Sequence, residues 1–565
     1  MAIERITINK FLGIDYSVQP RNLPPGSALK CNNIDIATGA IKTRRGAIIA
    51  KAAKGNRIYG LYERQWGTTL YSYQTVDDLV FRSDTQIGSG WARNDTYFAA
   101  VDQWTFLTDG TFQGKDDGTT ASLWGIAAPL VAPSVAIGAA GALSGTYSYK
   151  RTRYDSATGQ ESNASPVSAD ITPAAQKVDL SALTETPPSG TAYTHHNIYR
   201  KSDSLTDWYF LVQLVNTTAT YTDNITDANL GSALSATNDA PPQAKYIAGP
   251  QHLKLFMANT ADNPHYLYAS KENLPGAFPL TDVLHIGDAG MPIFPVAWQG
   301  VIVCLSPSTI WKVYGAAIEL MSVQSTPVNR GCVAPRTVAP SPYGIFYLSY
   351  DGVYLFTGEN SEKISPQLNP LFAEDKSYNE APFPTQSVNS LATAWGIFKD
   401  DYYWLCMPMT AGSYPTRAFV YHYPTQQWFT RPLSAYLGYA SPYDNRLYFA
   451  GFNGDIWGHP VGYDDNGVAI SYNYLTSPMP TGDLVNKRFR HLRIDIDSQG
   501  QAVTINTYIN GAKVSAISAA SAGRGWVEIN LDRTGYYANI EFTGTALAEI
   551  RIYGLELFYD PLRWV

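Results

Sequence analysis

The chain has 565 residues, of which 45% are hydrophobic, 13% aromatic and only 16% charged, and its net charge is −7. This length predicts roughly three or four domains, and the abundance of Tyr, Gly and Pro favours strands and turns over helices. The acidic balance excludes a nucleic-acid binder that works through a broad basic face, although it allows a protein that lets DNA pass without holding it.

The first fifty residues form an N-terminal arm. Phe11 is followed by Leu23-Pro24-Pro25-Gly26, by Cys31-Asn-Asn-Ile-Asp-Ile36, and by Arg44-Arg45 before Gly46. Two successive prolines and a glycine force an extended segment and a turn. Such an arm can embrace a neighbouring subunit or complete a propeller blade, and an ordinary leading strand pair is the alternative. Residues 1–10 lack the apolar run of a secretory signal peptide.

Residues 51–128 and 245–470 carry short alternating apolar runs between Gly, Pro, Asn and Asp, which are strand and turn signals. Three runs share one pattern, an Asp-Gly or Asn-Gly pair between large apolar residues: 106–112, 348–354 and 449–457. Serial hairpins of this kind predict a β-propeller, with six or seven blades at about 45 residues per blade. A string of unrelated hairpins in sandwiches is the alternative.

Residues 129–244 have a different sequence pattern, which predicts an inserted domain. About seven short strands lie between Ala132-Pro133 and Pro241-Pro242, which predicts an immunoglobulin-like sandwich that resembles fibronectin type III domains. The uncharged stretch 123–143 is interrupted by prolines and glycines, so it is interpreted as a linker leading into a strand rather than as a membrane segment. The basic residues of this domain predict that it lies on an outer face, away from DNA: Lys150, Arg151, Arg153, Arg200 and Lys201.

The last segment, 471–565, alternates strictly between apolar and polar residues, for example over 489–496 and 503–509. Alternation places one face of each strand in a core and the other in water. The whole chain is therefore predicted to be all-β, with a β-propeller core, an inserted fibronectin III/immunoglobulin-like sandwich and a C-terminal β-sandwich.

The sequence holds no motif of known catalytic chemistry. It lacks a GxSxG elbow, an HExxH helix and the phosphate-binding glycine loops, and its Asp-Gly hairpins do not have the Asp-x-Gly spacing of sialidase Asp-boxes. The four cysteines are far apart, which argues against a disulfide scaffold or zinc ribbon and indicates buried thiols in a reducing compartment. We therefore predict no catalytic, cofactor or metal site and no enzyme activity.

Four pairs of adjacent aspartates stand beside predicted turns: Asp77-Asp78, Asp116-Asp117, Asp400-Asp401 and Asp464-Asp465. Aspartate favours turns because its side chain bonds to the local backbone, and this is the plainest interpretation. The run 464–467 has only part of a calcium loop. A third interpretation is that these carboxylates face the channel of a ring-shaped oligomer, where they would repel phosphate.

The N-terminal arm resembles that of the tail nozzle, or tail hub, proteins of short-tailed phages (tail tubular protein B-like), with the likeness strongest over about 40 residues. The resemblance implies a propeller-based subunit of a homo-hexameric ring in the virion tail, assembled in the host cytoplasm. It implies contacts with the head-to-tail adaptor and with tail fibres or spikes, transient passage of double-stranded DNA, no cofactor and no stable membrane association. The candidate assembly residues of the arm are Phe11, Leu23, Pro24, Pro25, Gly26, Arg44 and Arg45. A carbohydrate-binding or glycan-hydrolysing propeller is the alternative function.

Overall fold

The computed structural model describes residues 3–372, 391–409, 414–480 and 485–562. Over these ranges the regular structure is almost entirely β-strand, as predicted, with five short 3-10 helices: Pro20–Asn22, Asp227–Asn229, Ile318–Leu320, Pro335–Thr337 and Pro366–Leu371. No helix in the described ranges is long and apolar enough to span a bilayer. The chain divides into two compact units, the first made of residues 1–63, 307–309 and 326–565 and the second of residues 64–306 and 310–325.

The N-terminal arm contributes five short strands to the first unit. These are β1 (Glu4–Ile8), β2 (Ala28–Asn32), β3 (Ile34–Asp35), β4 (Ile41–Thr43) and β5 (Ile48–Lys51).

Two four-stranded sheets follow, in each of which strands that succeed one another along the chain are paired. Their strands are β6 (Ile58–Trp66), β7 (Thr69–Val76), β8 (Leu79–Arg82) and β9 (Thr85–Ser89), then β10 (Tyr97–Val101), β11 (Trp104–Thr108), β12 (Gln113–Asp116) and β13 (Ala121–Leu123). Meanders of this kind are the blades of a propeller.

The inserted domain is a two-sheet sandwich of seven strands, as the sequence predicts. Its strands are β14 (Ser134–Ser144), β15 (Tyr147–Asp155), β16 (Gln160–Glu161), β17 (Ala174–Ser181), β18 (His195–Ser202), β19 (Tyr209–Val215) and β20 (Tyr221–Asp223). One sheet has the order β14-β17-β20 and the other β16-β15-β18-β19, and Tyr149, Val178 and Ile198 fill the core between them. The uncharged stretch before it leads into strand β14, as expected.

The basic residues of the inserted domain correct one expectation. Arg151, Arg153 and Arg200 do not face solvent but are at most 1% exposed. Arg151 pairs with Glu185 at 2.6 Å, and Arg200 pairs with Asp223 at 2.7 Å. Because these arginines are buried within the domain, they give no information about which way the domain faces.

Four more four-stranded sheets, and the run β33-β34-β35-β36 at one end of a ten-stranded sheet, complete the series, so the described residues contain seven blades. Their strands are β21 (Ala244–Gln251), β22 (Lys254–Thr260), β23 (Tyr266–Ala269), β24 (Val283–His285); β25 (Phe294–Trp298), β26 (Val301–Leu305), β27 (Ile310–Tyr314), β28 (Ser322–Ser325); β29 (Ala339–Ser341), β30 (Gly344–Ser349), β31 (Gly352–Phe356), β32 (Ser361–Lys363); β33 (Trp395–Lys399), β34 (Tyr402–Met407), β35 (Arg417–His422), β36 (Gln427–Pro432); and β37 (Leu437–Ala440), β38 (Leu447–Ala450), β39 (Ile456–His459). The last blade takes β5 of the arm as its fourth strand, paired to β39.

The repeated Asp-Gly and Asn-Gly pairs have one place in this architecture. Gly110, Gly352 and Gly454 all adopt positive φ at the turn between the second and third strands of a blade. Glycine accepts this conformation without a Cβ clash. The three copies of the pattern therefore mark equivalent hairpins, as predicted.

The C-terminal segment forms the predicted β-sandwich. Its strands are β40 (Asp464–Asp465), β41 (Val468–Thr476), β42 (Lys487–Asp497), β43 (Val503–Ile509), β44 (Ala512–Ala519), β45 (Gly525–Gly535), β46 (Ala538–Ala546) and β47 (Arg551–Pro561). One sheet has the order β3-β4-β47-β42-β45 with β1 added on β47, and the other runs β2-β41-β46-β43-β44. Leu492 and Leu555 of the first sheet share a core with Ile505 and Phe542 of the second.

The arm is built into its own chain. Strand β2 lies between β36 of a blade and β41 of the sandwich, so these two modules form one ten-stranded sheet. Phe11 is 1% exposed and packs edge-on against Tyr474 and Phe542. Of the two roles expected for the arm, completing a blade is confirmed by β5, which pairs with β39, and embracing a neighbouring subunit stays a prediction.

Two arm glycines are required by close packing. A Cβ on Gly46 would overlap the carbonyl oxygen of Asp464, and a Cβ on Gly13 would overlap that of Trp428. Neither overlap can be avoided by moving a side chain, because the obstructing atoms belong to the backbone of neighbouring strands.

We expect Gly46→Ala to destabilise the first unit by about 1–3 kcal/mol or more, because the methyl group forces the arm away from β40. The matched control is Gly523→Ala, where no atom lies within 4 Å of the added Cβ and a change within about 0.5 kcal/mol is expected. Urea unfolding of both variants measures the difference, and equal stabilities would show that the arm is not held as described.

Candidate functional site

The arm and the last two blades meet around a pair of arginines. Arg44 donates to Asp465 through both terminal nitrogens, Nη1 to Oδ1 at 2.9 Å and Nη2 to Oδ2 at 2.5 Å, and its Nε donates to Asn33 Oδ1 at 2.7 Å. Bidentate pairs of this kind are among the stronger hydrogen-bonded ion pairs in proteins. Arg44 thus fastens the arm to β40.

Arg431, on β36, is a buried guanidinium without a carboxylate bonded to it in the described residues. Only 6% of it is exposed, it stacks 4.3 Å from the ring centre of Trp404, and its Nε has no hydrogen-bond partner among the described atoms. Burial, and then the nearby charge of Arg44, lower the pKa of Arg431 to about 10.

His459, at the end of β39, completes the cluster in a fixed tautomer. Its Nδ1 lies 2.9 Å from the carbonyl oxygen of Gly46, so Nδ1 carries the proton and donates. Its Nε2 then accepts from Arg431 Nη1 at 3.2 Å. Burial and the adjacent arginines, Arg431 foremost, hold the pKa of His459 well below its usual value, so the ring is neutral.

Small cavities lie on either side of this arginine–histidine cluster. One of about 140 Å³ is lined by Arg44, Trp457 and Asp465, and one of about 170 Å³ by Asp35 and Arg45, while Trp404, Arg431 and His459 line both. The cluster offers guanidinium donors and an aromatic face. Over the described part of the chain, no group of three or more His, Cys, Asp or Glu side chains is arranged to hold a metal ion.

Sequence reasoning found Arg44, Arg45, Asp400 and Asp465 but missed Trp404, Arg431 and His459. The missed residues come from three different strands, and their only sequence signal is that Trp404 belongs to an apolar strand run. Their partnership depends on which blades are neighbours, which no local pattern encodes.

Asp77 and Asp117 both stand at turns between strands. Asp77 adopts positive φ and pairs with Arg93 at 2.6 Å, and Asp78 beside it is half-buried. Asp117 accepts from the backbone nitrogens of Thr119 and Thr120 at 2.7 Å each. The contacts of Asp117 are the turn contacts of the plainest interpretation.

Asp116 corrects the channel interpretation at its own position. It is 0% exposed and accepts from Tyr73 at 2.7 Å, from Arg82 at 2.6 Å and from the backbone nitrogen of Gly118 at 3.0 Å. Burial raises the pKa of this carboxyl. A carboxylate enclosed by its own chain does not line a channel.

Asp400 and Asp401 sit in a turn, where both adopt positive φ, and Asp401 accepts from the hydroxyl of Tyr343 at 2.7 Å. Asp464 and Asp465 form the short strand β40 just before a turn. Asp464 accepts from the backbone nitrogen of Gly467, and Asp465 is held by Arg44. Asp400 is the exposed member of these two pairs, and channel lining stays a prediction for all the paired aspartates except Asp116.

The remaining arm residues divide between core and surface. Leu23 and Gly26 are buried, and the carbonyl of Gly26 accepts from the hydroxyl of Tyr474 at 2.6 Å. Pro24 and Pro25 are exposed at the turn that the sequence predicts. Arg45 is exposed as well. The four cysteines are buried and free, as predicted.

Comparison with known proteins finds only distant structural similarity. No family model and no curated protein matches the chain. Among solved structures, apo AztD from Citrobacter koseri is 10% identical, covers 71% of this chain and 90% of its own, and has a TM-score of 0.28. The exo-β-1,3-galactanase of Phanerochaete chrysosporium with galactose is 9% identical, covers 91% and 100%, and has a TM-score of 0.17. A structure described as a glycoside hydrolase is 10% identical, covers 89% and 99%, and has a TM-score of 0.15.

The prediction that the chain is not an enzyme is wrong on this comparison, because glycoside hydrolases are among the matched structures. At these TM-scores the likeness assigns neither a reaction nor a substrate to the chain.

We expect the Arg44–Asp465 pair to couple the arm to β40 by about 1–3 kcal/mol in a double-mutant cycle of Arg44→Met and Asp465→Asn, since Arg44 is only 10% exposed. The control cycle is Arg488–Asp532, whose side chains are 43% and 63% exposed and whose coupling should stay within about 1 kcal/mol. Denaturant unfolding of the wild type, the four single variants and the two double variants gives both values. Equal coupling energies would contradict a clamping role for Arg44.

Acid should weaken the first unit through His459. Because its folded pKa lies below the ordinary value of 6.5, the unfolded chain binds the extra proton, so the stabilisation is complete above that value and is lost as the pH falls below it. The slope is at most about 1.4 kcal/mol per pH unit for one proton.

The measurement is unfolding free energy between pH 7.5 and pH 5 for the wild type, for His459→Gln and for the control His285→Gln, an exposed histidine. The His459 variant should have the shallower slope, and the control should follow the wild type. A wild-type slope in the His459→Gln protein would mean that other groups carry the acid sensitivity.

Proposed function

We propose that this chain is a structural subunit of a phage tail, and that copies of it form a ring, the nozzle or hub, around the path by which DNA leaves the particle. In this proposal the ring is a homo-hexamer below the head-to-tail adaptor, and tail fibres or spikes attach around it.

The proposal is carried by the N-terminal arm. The residues on which the resemblance to tail nozzle proteins depends are those that join modules: Phe11 enters the sandwich core, Gly26 accepts from Tyr474, and Arg44 clamps Asp465. Motif residues that join modules suit a protein whose task is to hold a shape.

Continuity of the core supports the same function. A single apolar cluster runs from blade residues such as Phe346 and Phe449, through Phe11 of the arm, to Phe542 and Leu555 of the sandwich. Close-packed interiors have low compressibility and transmit strain. The wall of a tube through which DNA moves under pressure needs such stiffness.

The placement of positive charge also suits a DNA conduit. Arg151, Arg153, Arg200 and Arg431 are buried and therefore offer no phosphate contact, and the net charge is −7. Because phosphate contacts dominate the affinity of proteins for DNA, withdrawing arginines from the surface keeps passing DNA from adhering.

The test is to image negatively stained phage particles labelled with an antibody fragment against this chain, and to measure the mass of the purified chain with and without its adaptor ring. We expect label at the tail and an assembly near six times the chain mass of 62.0 kDa. The matched control is an antibody fragment against the major head protein, which should label heads only.

A chain that is absent from tails and stays monomeric with the adaptor would overturn the proposal. Failure to assemble alone, with tail labelling intact, would locate the trigger for ring formation in the adaptor and leave the assigned role standing.

A further inference from the structure

The second unit contains a cavity of about 240 Å³ beside the inserted domain. Its walls are the turn between β10 and β11, strand β12, the hairpin between β15 and β16, and the segment 273–276. The cavity is distinct from the arginine–histidine cluster, which belongs to the first unit.

Lys115 lies in its wall as a buried cation. The side chain is 2% exposed, and its Nζ has no hydrogen-bond partner among the described atoms. The facing carboxylate, Asp155, has an oxygen 3.6 Å away, but it already accepts from the backbone nitrogen of Ala157 and from the hydroxyl of Thr158. Burial lowers the pKa of Lys115 because the ammonium loses its hydration. An acceptor atom in the cavity would restore a hydrogen bond to it.

Trp104 gives the same cavity an aromatic face. Lys115 Nζ lies over its ring, 4.7 Å from the ring centre, and Trp104 is half-buried and lines the cavity. A flat apolar surface next to an unsatisfied donor suits a ring-shaped molecule with an apolar face and a polar edge.

The walls are held in place before any ligand arrives. Gln160 Nε2 donates to the carbonyl of Gly276 at 2.5 Å, and Trp124 Nε1 donates to that of Pro275 at 2.8 Å. A preformed cavity avoids the cost of ordering loops on binding.

The charges and dimensions of the cavity restrict its occupant. Asp155 offsets the charge of Lys115, and the lining also includes Asp102, so no net positive charge remains to attract an anionic ligand. Gln103, Thr158 and Asn273 add amide and hydroxyl groups to the lining. The volume is below the roughly 300–1,000 Å³ that is usual for drug-sized ligands, so it accommodates about one ring.

We propose that this cavity binds one neutral sugar ring of a glycan. The C–H face of the ring packs on Trp104, one hydroxyl accepts from Lys115 Nζ, and other hydroxyls bond to Gln103, Thr158 and Asn273. This function is additional to the tail role and does not depend on it.

The experiment is saturation-transfer NMR on the full chain with the methyl glycosides of glucose, galactose and mannose. We expect one of them to bind with a Kd on the order of 1 mM, and Trp104→Ala to weaken it at least about tenfold. Lys115→Met should weaken it similarly, and if that variant does not fold, Gln103→Ala takes its place. The matched control is Trp526→Ala, which removes an exposed tryptophan of the first unit and should bind as the wild type does.

Two results would overturn the proposal: none of the three glycosides binds the wild type at tens of millimolar, or Trp104→Ala binds as well as the wild type while its unfolding temperature is unchanged. Neither result bears on whether the chain assembles in a tail.

Discussion

The structure of the first unit depends on strand β2, which forms backbone hydrogen bonds with a strand on each side. Strand β2 pairs antiparallel with β41 and contacts β36 through Asn32 and Thr430. Without it, backbone groups of the blade and the sandwich would face each other unpaired, at a cost of about 1–3 kcal/mol for each buried group. The same requirement brings backbones so close at Gly13 and Gly46 that no side chain fits. Strand β2 of the arm thus joins the blade and the sandwich into one continuous sheet.

The packing of the arm between the blade and the sandwich also brings a second positive charge close to Arg431. The arm brings Arg44 close to a guanidinium that is already buried on Trp404, so two positive charges share a poorly hydrated region. The structure accommodates this by pairing Arg44 with Asp465 and by keeping His459 neutral as an acceptor. A third positive charge there, without a compensating carboxylate, would be costly. His459 is therefore neutral, while both arginines keep their protons.

Local patterns allowed much of the fold to be predicted, because turns and strand alternation are local properties. The Asp-Gly hairpins, the seven-stranded insertion and the alternating C-terminal strands were found in this way. The buried arginines were misjudged even though Arg151 and Arg153 have the same parity along β15 as the buried Tyr147 and Tyr149; applying the two-residue period to charged residues would have placed them inside. The partners of β2 could not be predicted, since they are set by contacts between segments hundreds of residues apart.

The position of the inserted domain suggests how a propeller can gain a ligand site without a change in its blades. Lys115 belongs to a blade and Asp155 to the insertion, so the insertion supplies the carboxylate that faces this buried lysine. Trp104 of the same blade lies on another side of the ammonium. The cavity between them leaves space for an occupant, and the donor without a hydrogen-bond partner favours a hydroxylated one. Recognition at this cavity is accordingly a property of the interface between two modules, and a change in the hairpin would alter it without disturbing either core.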